Sequence, residues 1–138
     1  MADHNLKVTI VTPDGSVYDR DDATMLILKT GGGEMGVLAN HLPFVATLKI
    51  DAVRIQSDDK EDQVAVCGGF VEFSNNLATI VADSAETSVE IDIERAQSAK
   101  TRAEEHIQHA NEVHDQDELK RAEVALKRAI NRLKVSGK

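Results

Sequence analysis

The sequence predicts an antiparallel β-sandwich over residues 1–87 followed by an antiparallel two-helix hairpin over 88–138, and three observations carry that prediction. Seven of the eight glycines, both prolines and all four aromatic residues (Tyr18, Phe44, Phe70, Phe73) fall within the first 73 positions. In the same stretch short apolar runs alternate with turn-forming clusters, the pattern of a sandwich or barrel. Beyond Ser88 there is no proline, and no glycine before Gly137, so nothing there interrupts a helix.

The elements follow in order. Lys7 to Val11 reads as a strand ended by Pro13-Asp14-Gly15, and Ala23 to Lys29 as a second ended by Gly31-Gly32-Gly33. Ala52 to Gln56 is a third, followed by a charged turn from Ser57 to Asp62. Val64 to Cys67, Phe70 to Phe73 and Leu77 to Val81 complete the set, with Asn75-Asn76 as a tight turn between the last two, since asparagine tolerates positive φ. Cys67 is read as a core residue of its strand.

In the tail, Ile93, Ala96, Ala99, Ala103, Ile107 and Ala110 recur every three or four residues, as do Leu119, Ala122, Leu126, Ala129 and Leu133. Those are two amphipathic helices. The polar stretch from Asn111 to Gln116 connects them, and Asp115 with Glu118 three residues on has the spacing of a capping box. So short a connection forces the helices antiparallel. Their seam is mostly alanine, and an alanine buries far less apolar surface than the roughly 1.5–3 kcal/mol worth of a leucine or isoleucine. The hairpin is therefore expected to depend on docking to the sandwich, on charge pairing between its helices or on a ligand.

Charge excludes one class of function. The net charge is −8, all of it in residues 1–87; residues 90–118 then carry −6 and residues 119–138 carry +6. A nucleic-acid binder spreads a basic face over its folded domain, and here that domain is acidic. The single cysteine precludes an intrachain disulfide. The first residues, Met1-Ala2-Asp3-His4-Asn5, have neither the basic cap nor the apolar run of a signal peptide, so membrane association is expected only through a partner.

Gly31-Gly32-Gly33-Glu34-Met35-Gly36 matches the dinucleotide-binding pattern G-x-G-x-x-G, but that motif must open a helix whose amides face a pyrophosphate. Pro43 follows too soon, so the glycines read as a strand connection. His106, His109 and His114 lack a cysteine or carboxylate at a known metal-ligand spacing and read as solvated. No catalytic residue and no metal ligand is assigned.

The arginines of the tail are more informative. Asp92, Arg95 and Ala96 share a face at the start of the first helix, and Arg102 lies seven residues past Arg95 on the same side. Arg121, Arg128 and Arg132 share a face of the second helix. Antiparallel pairing sets Arg95 near Arg132, with Arg102 and Arg128 further along. Guanidinium groups converging without equal local acid favour a polyphosphate, and Asp92 would accept from an adenine amino group. Ordinary interhelix salt bridging is the other reading, and spacing alone leaves both open.

Several stretches, in order, resemble the epsilon-chain family of bacterial F-type ATP synthases over nearly the whole chain. They are Val11-Thr12-Pro13-Asp14-Gly15, Gly33-Glu34-Met35-Gly36-Val37-Leu38 with Asn40-His41, Gly68-Gly69-Phe70, and Thr79-Ile80-Val81-Ala82-Asp83-Ser84-Ala85-Glu86. The run Arg121-Ala122-Glu123-Val124-Ala125-Leu126-Lys127-Arg128-Ala129 with Asn131-Arg132-Leu133 completes them. Ala39 departs from that pattern, standing where the family usually has a proline, which leaves the loop less rigid.

The resemblance implies a non-catalytic subunit of the central stalk, peripheral on the cytoplasmic face of the cell membrane. Its sandwich would bind the gamma subunit and rest on the c-ring, with Glu34 and His41 at matching surface positions; a plain polar loop is the alternative for both. Ile91-Asp92-Ile93-Glu94-Arg95-Ala96 resembles the element with which some relatives bind ATP, and Glu86, Arg102, Arg128 and Arg132 fall on other matching positions. ATP is thus implied as a regulatory ligand, no cofactor being required, and the hairpin as a mobile inhibitor of hydrolysis by the alpha/beta catalytic hexamer. A free-standing ATP-sensing adaptor is the rival reading.

Overall fold

The structure, a computed structural model, describes residues 4–137. Ten strands precede two helices: β1 (Leu6–Thr12), β2 (Gly15–Ala23), β3 (Met25–Thr30), β4 (Gly33–Leu38), β5 (Phe44–Thr47), β6 (Asp51–Ser57), β7 (Lys60–Val66), β8 (Gly69–Ser74), β9 (Leu77–Ala82) and β10 (Ala85–Thr87), then α1 (Ile93–Val113) and α2 (Gln116–Ser136). The strands form two five-stranded sheets, β2-β1-β9-β8-β5 and β10-β7-β6-β3-β4. Every pairing is antiparallel except β1 with β9, which run parallel.

Period-two burial builds the core: Leu6, Val8 and Ile10 of β1, Leu26 and Leu28 of β3, Val71 and Phe73 of β8, and Ala78 and Ile80 of β9 all point between the sheets. The sheets are also tied at one margin, where the Tyr18 hydroxyl of β2 donates to Asp62 of β7 at 2.7 Å and Arg20 reaches the same oxygen at 3.0 Å. Burial, then the Asp62 carboxylate, pushes the Tyr18 hydroxyl far above its usual range, so it remains a donor.

Two turns explain their residues. Asn75 and Asn76 sit at φ of 52° and 60° between β8 and β9, the left-handed pair a two-residue hairpin needs. Gly69 sits at φ 117°, and a Cβ there would lie 2.1 Å from the Val81 carbonyl oxygen.

β2, β4, β5 and β10 lie outside the strands read from the sequence: β2 is largely charged, and the others are short or glycine-bearing, so apolar alternation does not flag them. Of the triple glycine, Gly31 and Gly32 form the β3–β4 turn and Gly33 begins β4, so the run opens no helix. Cys67 is buried, as read, but follows the end of β7.

The helical connection is tighter than the polar stretch suggested, because α1 continues through Val113 and only His114 and Asp115 turn the chain. His114 takes φ 58°, and the Asp115 amide closes back on the Ala110 carbonyl at 2.9 Å. Asp115 caps α2 by accepting from the amides of Asp117 and Glu118, each at 3.1 Å. The box is only half made: the Glu118 carboxylate crosses to α1, where Nδ1 of His106 and of His109 each lie 3.0 Å away. A carboxylate only accepts, so both imidazoles must carry the Nδ1 proton. Hydrogen bonds from His106, then His109, hold the Glu118 carboxyl below its usual range.

Candidate functional site

α1 rests chiefly on α2, and it is α2 that packs on β6 and β7. The strand sequence prepares that contact. In β7, Val64, Ala65 and Val66 are buried in succession, and in β6 so are Ala52 and Val53; at those points the second face of the sheet is covered too. Ala52 and Ala65, cross-strand partners, form with Ile91 and Val135 a small apolar cluster separate from the sandwich core. Around it, Asn131 donates to the Val66 carbonyl at 3.2 Å, Arg132 Nε meets Glu86 at 2.5 Å, and the Lys134 ammonium binds Asp51. Burial raises the Asp51 carboxyl, but Lys134 and the Ala52 amide outweigh it and leave the group below its usual range. Asn131 is only 4% exposed, and its Oδ1 has no partner among the described residues.

Beside this contact, Glu86, Asp92, Arg95, Ala96, Ala99, Arg102 and Arg132 enclose a cavity of about 190 Å³. Three elements supply it. β10, paired with β7, brings Glu86; the N-cap and first turns of α1 bring Asp92 and Arg95 to Arg102; the C-terminal part of α2 brings Arg132. Asp92 is the N-cap of α1, accepting from the Arg95 amide at 3.1 Å, which fixes its carboxylate at the rim. Ala96 is buried and leaves the floor open. Three guanidinium groups thus face two carboxylates, and among the described residues only Arg132 of the three has an ion-pair partner. Such a setting suits a polyphosphate carrying its own negative charge.

Of the residues singled out from the sequence, Glu86, Asp92, Arg95, Ala96, Arg102 and Arg132 therefore surround one cavity. Ile91 lies beneath it, buried against Val135, Ala52 and Ala65, so its side chain serves the docking contact. Arg128, one turn from Arg132, is not among the residues around this cavity. Ile93, assigned to the seam, lies outside it at 55% exposed, and Ile130 of α2 also faces out, because Ala96, Ala103 and Ala110 set the buried stripe of α1 and Ala122, Ala129, Asn131 and Val135 that of α2.

Glu34 and His41 sit at different places. Glu34, exposed on β4 opposite Lys29, lines a shallow cavity with Asp51, Arg54 and Lys134. His41 lies in the β4–β5 loop, edge-on to Phe44 at 5.1 Å and to Phe73 at 6.0 Å, with Nδ1 2.7 Å from the Leu42 carbonyl. Near it in sequence, Leu42 and Val45 are 77% and 70% exposed, and Phe70, opposite Thr47 in the sheet, is partly exposed. Among the described residues no group of three or more histidine, cysteine or acidic side chains is arranged for a metal ion, and no helix is long and apolar enough to cross a membrane.

Sequence reasoning missed Asn131, Val135, Ala52 and Ala65. The unbroken run Val64-Ala65-Val66 was the available signal, since a strand with one wet face alternates.

Comparison with known proteins matches both parts of the chain. Residues 5–88 match the family described as ATP synthase, delta/epsilon chain, beta-sandwich domain, and residues 90–137 its long alpha-helix domain. The chain is 57% identical over 131 residues to the ATP synthase epsilon chain of Pediococcus pentosaceus, covering 95% of this chain and 94% of that one. It is 52% identical over 133 residues to that of Bacillus pumilus, covering 96% and 98%. Among solved structures it superposes on a chain of the Euglena gracilis mitochondrial ATP synthase, in an assembly of OSCP, F1 and c-ring, with a TM-score of 0.79 and 25% identity over 98% of this chain and 82% of that one.

Proposed function

The chain belongs to the ATP synthase delta/epsilon chain family, and on that premise we propose that it is the non-catalytic epsilon subunit of a bacterial F-type synthase whose hairpin, latched by ATP, controls hydrolysis. The sandwich links the gamma subunit to the c-ring in the central stalk, using the loop that carries His41 and the exposed Leu42 and Val45 and, at a separate place, Glu34 of β4. The protein stays peripheral, on the cytoplasmic face of the membrane, through that complex.

One observation supports the regulatory part: the arginine-rich cavity is built from both parts of the chain, Glu86 from the sandwich and Arg95, Arg102 and Arg132 from the hairpin. A ligand that needs both walls binds only while the hairpin is folded down. ATP, its adenine amino group on Asp92 and its phosphates along the arginines, with Arg128 turning in from α2, stabilises that state by RT ln(1 + [L]/Kd), about 2.7 kcal/mol at 100 times Kd. When ATP falls the hairpin leaves, and its basic second helix extends along gamma toward acidic surface on the catalytic hexamer, blocking hydrolysis.

Calorimetric titration of the isolated chain and of Arg95→Ala with ATP tests the latch; no heat from the wild type sinks it. Reconstitution with gamma and the catalytic hexamer, with and without residues 88–138, tests inhibition, which requires faster hydrolysis without the hairpin. Affinity purification separates this reading from a free-standing adaptor, which would not bring down gamma.

A further inference from the structure

We infer that the nucleotide site continues past Arg102 into a second groove that takes a second base, so that the preferred class of ligand is a dinucleoside polyphosphate. This inference rests on the nucleotide reading of the first cavity. That cavity, about 190 Å³, is smaller than the roughly 300–1,000 Å³ usual for small-molecule sites. It does not end there. Ala99 and Arg102 also line a neighbouring groove of about 370 Å³ between the helices, bounded further on by Ala103, His106, Glu118, Arg121, Ala122 and Ala125.

The chemistry changes along this line. Around the first cavity charge dominates. Beyond Arg102 the groove is lined by three alanines, Ala103, Ala122 and Ala125, an apolar strip, with the guanidinium of Arg121 and the imidazole of His106 beside it. Another phosphate would meet the Glu118 carboxylate, which His106 and His109 hold in place. An aromatic base suits the strip better: it stacks on the planar guanidinium of Arg121 and covers apolar surface, while its polar edge faces the wall. Phosphates on Arg95, Arg132 and Arg102 direct whatever is esterified to the far end of their chain into this groove.

The test is calorimetry on the full chain with ATP, adenosine tetraphosphate and diadenosine tetraphosphate. The dinucleotide should bind roughly tenfold tighter than ATP, within the range that base stacking on a side chain supplies. Arg121→Ala, and separately Ala125→Leu, which fills the strip at an exposed helical position, should shrink the ratio of the two affinities toward one. A dinucleotide no tighter than ATP overturns the inference and leaves the nucleotide latch standing. Adenosine tetraphosphate binding as tightly as the dinucleotide overturns the second-base assignment. Absence of binding by all three removes the latch and this extension with it.

Discussion

Val135→Ala should loosen the hairpin without weakening the sandwich. Val135 is fully buried, and its cluster partners are Ala52, Ala65 and Ile91, a group separate from the core between the sheets. The substitution removes two buried carbons at about 0.8 kcal/mol each, roughly 1.6 kcal/mol before any cavity term. The rest of that contact is two alanines, one isoleucine, one hydrogen bond from the Asn131 amide and two partly exposed ion pairs, which solvent screens. No large residue is there to fill the gap, so the undocked population should rise roughly fifteenfold. Hydrogen exchange without nucleotide reads this directly: α2 amides should lose protection by about that factor while β1, β8 and β9 keep theirs. Unchanged α2 protection, or equal loss in the sandwich core, would refute the idea that this cluster is an independent hinge contact.

Two further outcomes follow from the sandwich. Gly69→Ala places a methyl group against the Val81 carbonyl at a positive φ, so β8 and β9 cannot keep their register; a loss of about 4 kcal/mol or more is expected in urea unfolding, and an unchanged midpoint would contradict it. Glu61, held by Arg54 first and then by Gln63 and Gln56, has its carboxyl lowered from 4.5 to about 2. Because the folded value is the lower one, its contribution is complete above about 4.5 and disappears as pH falls toward 2. Glu61→Gln should flatten the pH dependence of stability across that window, and identical acid profiles for variant and wild type would show the cluster to be inert.

Much of the fold was legible in the chain. Period-two runs gave the central strands, the paired asparagines gave a turn, and three- and four-residue spacing gave both helices with their antiparallel order. β2 escaped because its pairing rests on backbone hydrogen bonds that a charged exterior face does not betray. Arginine spacing likewise put Arg95 and Arg132 at one end of the hairpin. Spacing did not bring Glu86 to them, since β10 reaches the cavity only by pairing with β7; the family resemblance implied that residue, and it implied Arg128 as well, which stands outside the cavity.

By itself, then, the sequence determined a two-part molecule and an alanine-seamed hairpin whose second helix is basic, because periodicity and charge are local properties of a chain. Only the tertiary structure decided which face of α2 meets the sandwich, with Asn131 and Val135 rather than Ile130 turned inward, and that one cavity draws on both parts. Contacts between residues 46 and 65 positions apart depend on how finished surfaces fit together, and no local pattern encodes that fit.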